Sequence, residues 1–136
     1  MCSSDLRVLP AFERPDVAYV GEIGGAAKDA FLGGAFALLF PIDWPEPFGL
    51  VMIEAMACGT PVVGFNRASL PEIVRDGETG FLVEDVAAMA QAVGRVGELD
   101  PWACREHVLR HFSADVMVER YLGVYEQVIS RFDPAT

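Results

Sequence analysis

Two carboxylates, Glu46 and Glu54, are separated by seven residues, Gly49 among them, with Pro45 and Pro47 stiffening the approach. Gly49 to Cys58 is mostly apolar and is stopped by Gly59, so it reads as a buried helix that begins where the proline-rich loop ends. The first amides of such a helix lack intrahelical acceptors and carry the positive end of its dipole, which suits them to a phosphate or diphosphate. Glu46 precedes the helix, whereas Glu54 lies about five residues along it, roughly 7.5 Å at about 1.5 Å per residue. A nucleotide-sugar carries a sugar on one side of its diphosphate and a ribose on the other. Each carboxylate can accept hydrogen bonds from two neighbouring hydroxyls, so the pair suits both ends of such a ligand.

The elements needed to present this arrangement alternate along the chain. Val17–Val20, Ala37–Phe40, Pro61–Gly64 and Phe81–Val83 are short, nearly continuous apolar runs, as expected for strands covered on both faces. Helical patterns fall between and after them, at Ala26–Gly34, Gly49–Cys58, Leu70–Arg75 and Val86–Leu99. Another helix starts at Pro101 with Asp100 as its cap, and a last amphipathic one opens at Ser113 or Asp115. Strand and helix in alternation imply an α/β fold: a parallel, Rossmann-like half-sheet of about four strands flanked by helices. Open sheets of this kind bind ligands at the carboxyl ends of their strands, which is where the helix beginning at Gly49 would start.

Composition narrows the classes. With 136 residues, 52% hydrophobic and 22% charged, the chain is one globular domain. Twenty acidic against 10 basic side chains give a formal charge of −10, and no basic cluster interrupts it, which argues against nucleic acid and against membrane contact through this segment. No apolar stretch approaches the roughly 20 residues of a membrane-spanning helix. The first residues carry neither a positive region nor an apolar core of a secretory signal, so the reading is cytoplasmic. Three cysteines, Cys2, Cys58 and Cys104, without CxxC spacing speak for a reducing compartment and against a disulfide framework or a zinc site.

The segment Trp44-Pro45-Glu46-Pro47-Phe48-Gly49, continued through Glu54-Ala55-Met56-Ala57-Cys58-Gly59-Thr60-Pro61-Val62-Val63, resembles the donor-site signature of retaining glycosyltransferases of family 4, of the GT-B fold. The likeness extends back to Val17–Gly21 and forward through Leu70-Pro71-Glu72 and Asp76-Gly77 to Val83, covering about residues 17–131. It implies a C-terminal nucleotide-sugar-binding domain over 15–136, a leader foreign to the fold over 1–14, and an N-terminal acceptor domain of the same enzyme upstream. The resemblance implies that Glu46 is the catalytic-site carboxylate and holds the donor sugar with Pro47, Phe48 and Gly49. Backbone at Gly49, Leu50 and Val51 would hold the diphosphate, Glu54 the ribose, and Gly21, Glu22, Ile23 and Lys28 the nucleobase.

The implied activity is retaining glycosyl transfer from a nucleotide-diphosphate sugar to a carbohydrate or lipid-linked acceptor, as in polysaccharide or glycolipid biosynthesis. It needs no metal and no cofactor. In the family it resembles, some relatives that use GDP-sugars carry an acidic residue at about the place of Gly24 or Gly25 to read guanine; neither position is acidic here, so the resemblance favours a UDP-sugar over GDP- or ADP-sugars. Leaving-group stabilisation and the acceptor site would belong to the upstream half, so this chain alone is expected to be inactive. The complete enzyme is expected in the cytoplasm, at most peripheral to the inner membrane face. The competing reading is a non-catalytic module that binds a nucleotide or sugar phosphate. Other candidates have plainer explanations: Glu72 complements a helix dipole, and His107 and His111, four apart, have metal-ligand spacing but no third ligand, so packing explains them. Asp43 and Trp44 either line the sugar pocket or pack its loop, and Tyr121 and Tyr125 suit core or interdomain contact.

Overall fold

A computed structural model describes residues 14–132. Its elements run α1 (Gly25–Gly33), β1 (Leu38–Phe40), α2 (Leu50–Ala57), β2 (Val62–Phe65), α3 (Leu70–Ile73), β3 (Gly80–Val83), α4 (Val86–Val93), α5 (Pro101–His111) and α6 (Ala114–Phe132). The strands form a parallel sheet in the order β1-β2-β3, with Leu38 opposite Val62 and Val62 opposite Gly80. Alternation along β2 sends Val62 and Val63 to opposite faces. Val62 joins Met52, Met56, Leu70, Ile73, Cys104 and Val108 beneath α2, α3 and α5. Val63 joins Phe81, Val83, Met89, Ala92 and Val96 beneath α4. Cover on both faces is what makes β2 and β3 uninterrupted apolar runs, while in the edge strand β1 Leu39 stays 49% exposed.

The α/β class and the parallel half-sheet are as expected, with three strands among the described residues rather than about four. Among the described residues Val17–Val20 forms no ladder; Val17, Tyr19 and Val20 are 39%, 71% and 54% exposed, so the run has strand composition without strand pairing there. The helix expected over Val86–Leu99 divides. α4 ends at Gly94, and a 3₁₀ turn over Val96–Glu98 carries buried Val96 back to the core. Gly94 and Gly97 are poor helix formers, so the chain bends there to bury Val96 instead of continuing an exposed helix. Caps fall where their residues suggest: Asp85 accepts from the Ala88 amide and Asp100 from the Trp102 amide. Ser113 opens α6, its hydroxyl accepting from the Val116 amide at 3.4 Å.

α6 differs from every other helix in burying no residue, although Val118, Tyr121, Leu122, Tyr125 and Ile129 make an apolar stripe along it. Cys104 is fully buried, whereas Cys58 is only half-buried, because the neighbouring residue of α1 is Gly33, with no side chain to cover it. The leader expected at residues 1–14 falls almost wholly outside the described residues.

Candidate functional site

Gly49 is the N-cap of α2 and sits in the left-handed region, φ 76° and ψ 69°. A Cβ there would meet Met52 Cε at 2.6 Å, Phe40 Cζ at 3.2 Å and Glu46 Cγ at 3.6 Å. Glycine is therefore required twice over, by conformation and by close approach. The same contacts locate the site: Phe40 is the last residue of β1, so α2 starts at the carboxyl end of a parallel strand, with the Glu46 side chain against its first turn. No side chain caps the helix, and the Met52 amide bonds the Gly49 carbonyl at 3.0 Å. The Leu50 and Val51 amides are thus left facing outward at the positive end of the helix.

Glu46 is half-buried, and Trp44 Nε1 donates to its Oε2 at 3.2 Å. Asp43 pairs with Arg67, whose other nitrogen donates to the Glu84 carbonyl at 3.2 Å. Ser69 Oγ donates to the Phe48 carbonyl at 3.0 Å. The loop after β2 thereby braces the loop that carries Glu46, and Ala68 within it takes a positive φ of 50°. Asp43 thus ties its loop to the loop after β2, while Trp44 is 60% exposed and bonds Glu46 within its own loop. Arg67 and Ser69 were not singled out from sequence, although Arg67 is the only basic residue between Lys28 and Arg75, a signal that could have found it.

Glu54 lies one turn further along α2, and Lys28 Nζ of α1 reaches its Oε1 at 2.6 Å. This hydrogen bond raises the Lys28 pKa above its ordinary value, outweighing the opposite effect of burial. Lys28, expected at the nucleobase, has its ammonium on the carboxylate expected to hold ribose. Gly21, Glu22 and Ile23 lead directly into α1 and so toward Lys28, with Gly21 at φ 71° and Ile23 half-buried. Pro47, Phe48 and Leu50 are exposed around the start of α2.

A separate cavity of about 970 Å³ opens between α3, α5 and α6, reaching the loop that carries Glu46 through Phe48 and α2 through Leu50 and Ile53. His107 and His111 line it, and both have packing roles. His107 is buried with Nε2 donating to the Ile73 carbonyl at 2.8 Å. His111 Nε2 accepts from Arg75 at 3.1 Å, and partial burial with the nearby His107 and Arg75 lowers its pKa. Glu72 is in the first turn of α3, where a carboxylate complements the helix dipole.

Residues 4–98 match the sequence model of the family described as glycosyl transferases group 1. The chain belongs to this family. It is 35% identical over 126 residues to an uncharacterized 41.2 kDa protein in the cps region of Klebsiella pneumoniae, covering 88% of this chain and 35% of that protein. It is 34% identical over 119 residues to the phosphatidyl-myo-inositol mannosyltransferase of Mycobacterium leprae, covering 86% and 28%. Among solved structures, sucrose-phosphate synthase from Thermosynechococcus elongatus superposes with a TM-score of 0.73 and 31% identity, over 94% of this chain and 34% of that one. The glycosyltransferase chain thus spans about a third of the curated relatives it matches. The family match agrees with the signature around Glu46 and Glu54, and the structural match with the GT-B half-sheet expected from it.

Proposed function

We propose that this glycosyltransferase chain is the donor-binding half of an enzyme that transfers a sugar, with retention and without a metal, from a nucleotide-diphosphate sugar. The observation that carries the reading is the start of α2: a left-handed, uncapped glycine at the carboxyl end of β1, with Glu46 against the first turn and Glu54 on the next. Diphosphate would be held by the outward amides of Leu50 and Val51, which also stabilise it as it leaves. Glu46, with Pro47, Phe48 and Gly49, faces the sugar, and Glu54 the ribose. Gly21, Glu22 and Ile23 flank the base, for which uracil is our choice. The acceptor is a carbohydrate or lipid-linked molecule. That class is supported by relatives named as a phosphatidyl-myo-inositol mannosyltransferase and a D-inositol 3-phosphate glycosyltransferase. We place the acceptor-binding domain upstream in the same cytoplasmic enzyme, docked on the exposed apolar stripe of α6, and expect this chain alone to be inactive.

Calorimetric titration with UDP, GDP and ADP and their glucose and mannose conjugates, in the presence of a chelator, tests the reading. Saturable binding that is lost in Glu54→Ala supports it and identifies the base. A folded chain that binds none of these ligands, or binds them equally well without Glu54, refutes it.

A further inference from the structure

The chain contains one lysine among its 10 basic residues, and that lysine is committed to Glu54. The pairing follows from how α1 and α2 pack. Lys28 and Leu32 lie four apart on one face of α1, and Glu54 and Cys58 lie four apart on one face of α2. The C-terminal end of α1 is fixed against α2: Gly33 faces Cys58 at 3.5 Å from its virtual Cβ, and buried Thr60 donates to the Leu32 carbonyl at 2.6 Å. One turn back along both helices, Lys28 stands opposite Glu54. The two side chains are 36% and 37% exposed, so the pair is accessible from solvent yet anchored at both ends by packed helices.

Only Oε1 of Glu54 is taken. A carboxylate offers about four lone-pair sites, and an ammonium is a point donor that can engage one oxygen, whereas a guanidinium fork would tend to close both. We propose that Lys28 is a positioning residue of the donor site: by holding Oε1 it fixes the Glu54 carboxylate so that Oε2 faces the ribose hydroxyls of the nucleotide. This rests on the reading of Glu54 as the ribose carboxylate. Without Lys28 the glutamate would have to be ordered by the ligand itself, and that ordering entropy is subtracted from affinity. The pair also offsets one of the two negative charges that flank the diphosphate position, on a chain whose formal charge is −10.

The experiment compares UDP, GDP and ADP with their 2′-deoxy counterparts by calorimetry on the whole chain carrying Lys28→Met, Glu54→Gln or both, with circular dichroism confirming that each is folded. If Lys28→Met fails to fold, Lys28→Gln takes its place. For the nucleotide that binds most tightly, Lys28→Met is expected to lose about tenfold in affinity, the scale of one hydrogen bond to a charged group, and the 2′-deoxy form much less. The double variant is expected to bind no more weakly than Glu54→Gln alone. Equal losses for ribose and deoxyribose forms, additive losses in the double variant, or no effect of Lys28→Met would each overturn the proposal. Should Glu54→Gln itself leave the preference for ribose unchanged, the ribose assignment of Glu54 fails first, an outcome distinguishable from failure of the role of Lys28 alone.

Discussion

Replacing Gly49 by alanine separates the two reasons for a glycine at the start of α2. An L-residue in the left-handed region costs roughly 1–2 kcal/mol. The added methyl also meets Met52 Cε at 2.6 Å and Phe40 Cζ at 3.2 Å. Met52 is fully buried and has little room to retreat, so overpacking adds about 1–3 kcal/mol. The expected loss is therefore about 2–5 kcal/mol. Gly77 is a control of the same conformation, φ 75°, with nothing within 4 Å of its virtual Cβ. Gly77→Ala suffers only the backbone cost, and the effect of alanine on the unfolded chain is common to both variants. Urea denaturation followed by circular dichroism reads the difference. At a slope of about 2 kcal/mol per molar, Gly49→Ala should lower the midpoint by about 1–2.5 M, and Gly77→Ala by about 0.5–1 M. Equal midpoints for the two variants would refute the close packing of Phe40, Glu46 and Met52 around Gly49. Because the same glycine presents the Leu50 and Val51 amides, nucleotide affinity should fall in Gly49→Ala and be untouched in Gly77→Ala.

Burial pushes the Cys104 thiol up to about 11, so at pH 8 only about one molecule in a thousand carries a thiolate. Labelling with a thiol reagent and peptide mapping should modify half-buried Cys58 in the folded chain and Cys104 only on unfolding; equal labelling rates would contradict the packing. His111 has a folded pKa below its ordinary 6.5, so the unfolded chain binds more protons as the pH falls through and below that value, and stability is lost in that direction. His111→Gln removes this contribution and should flatten the fall of Tm between about pH 7 and 5; an unchanged slope would show that His111 is not held below its ordinary value.

Local physical chemistry made much of the molecule legible from sequence. Gly49 and Gly59 bracket α2 because a helix start with close approach and a helix stop both favour glycine, and Asp85 and Asp100 cap α4 and α5 because a carboxylate satisfies free amides. Uninterrupted apolar runs marked β1 to β3, since parallel strands are covered on both faces. The two glutamates and the glycine between them were visible in the same way, but it was the resemblance to the glycosyltransferase signature, not residue type and spacing alone, that singled them out.

Tertiary structure decided whatever depends on a distant partner. Val17–Val20 has the composition of a strand, but a strand needs a neighbour's backbone to bond, and composition carries no record of whether one is present. α4 ends at Gly94 because bringing Val96 into the core is worth more than another helical turn. Lys28 and Glu54 are 26 residues apart in sequence, and only the packing of α1 on α2 makes the chain's single lysine the partner of that carboxylate. Residue types set what each position can do chemically, but the pairing of charges across helices is fixed by which faces meet, and that is a property of the folded chain.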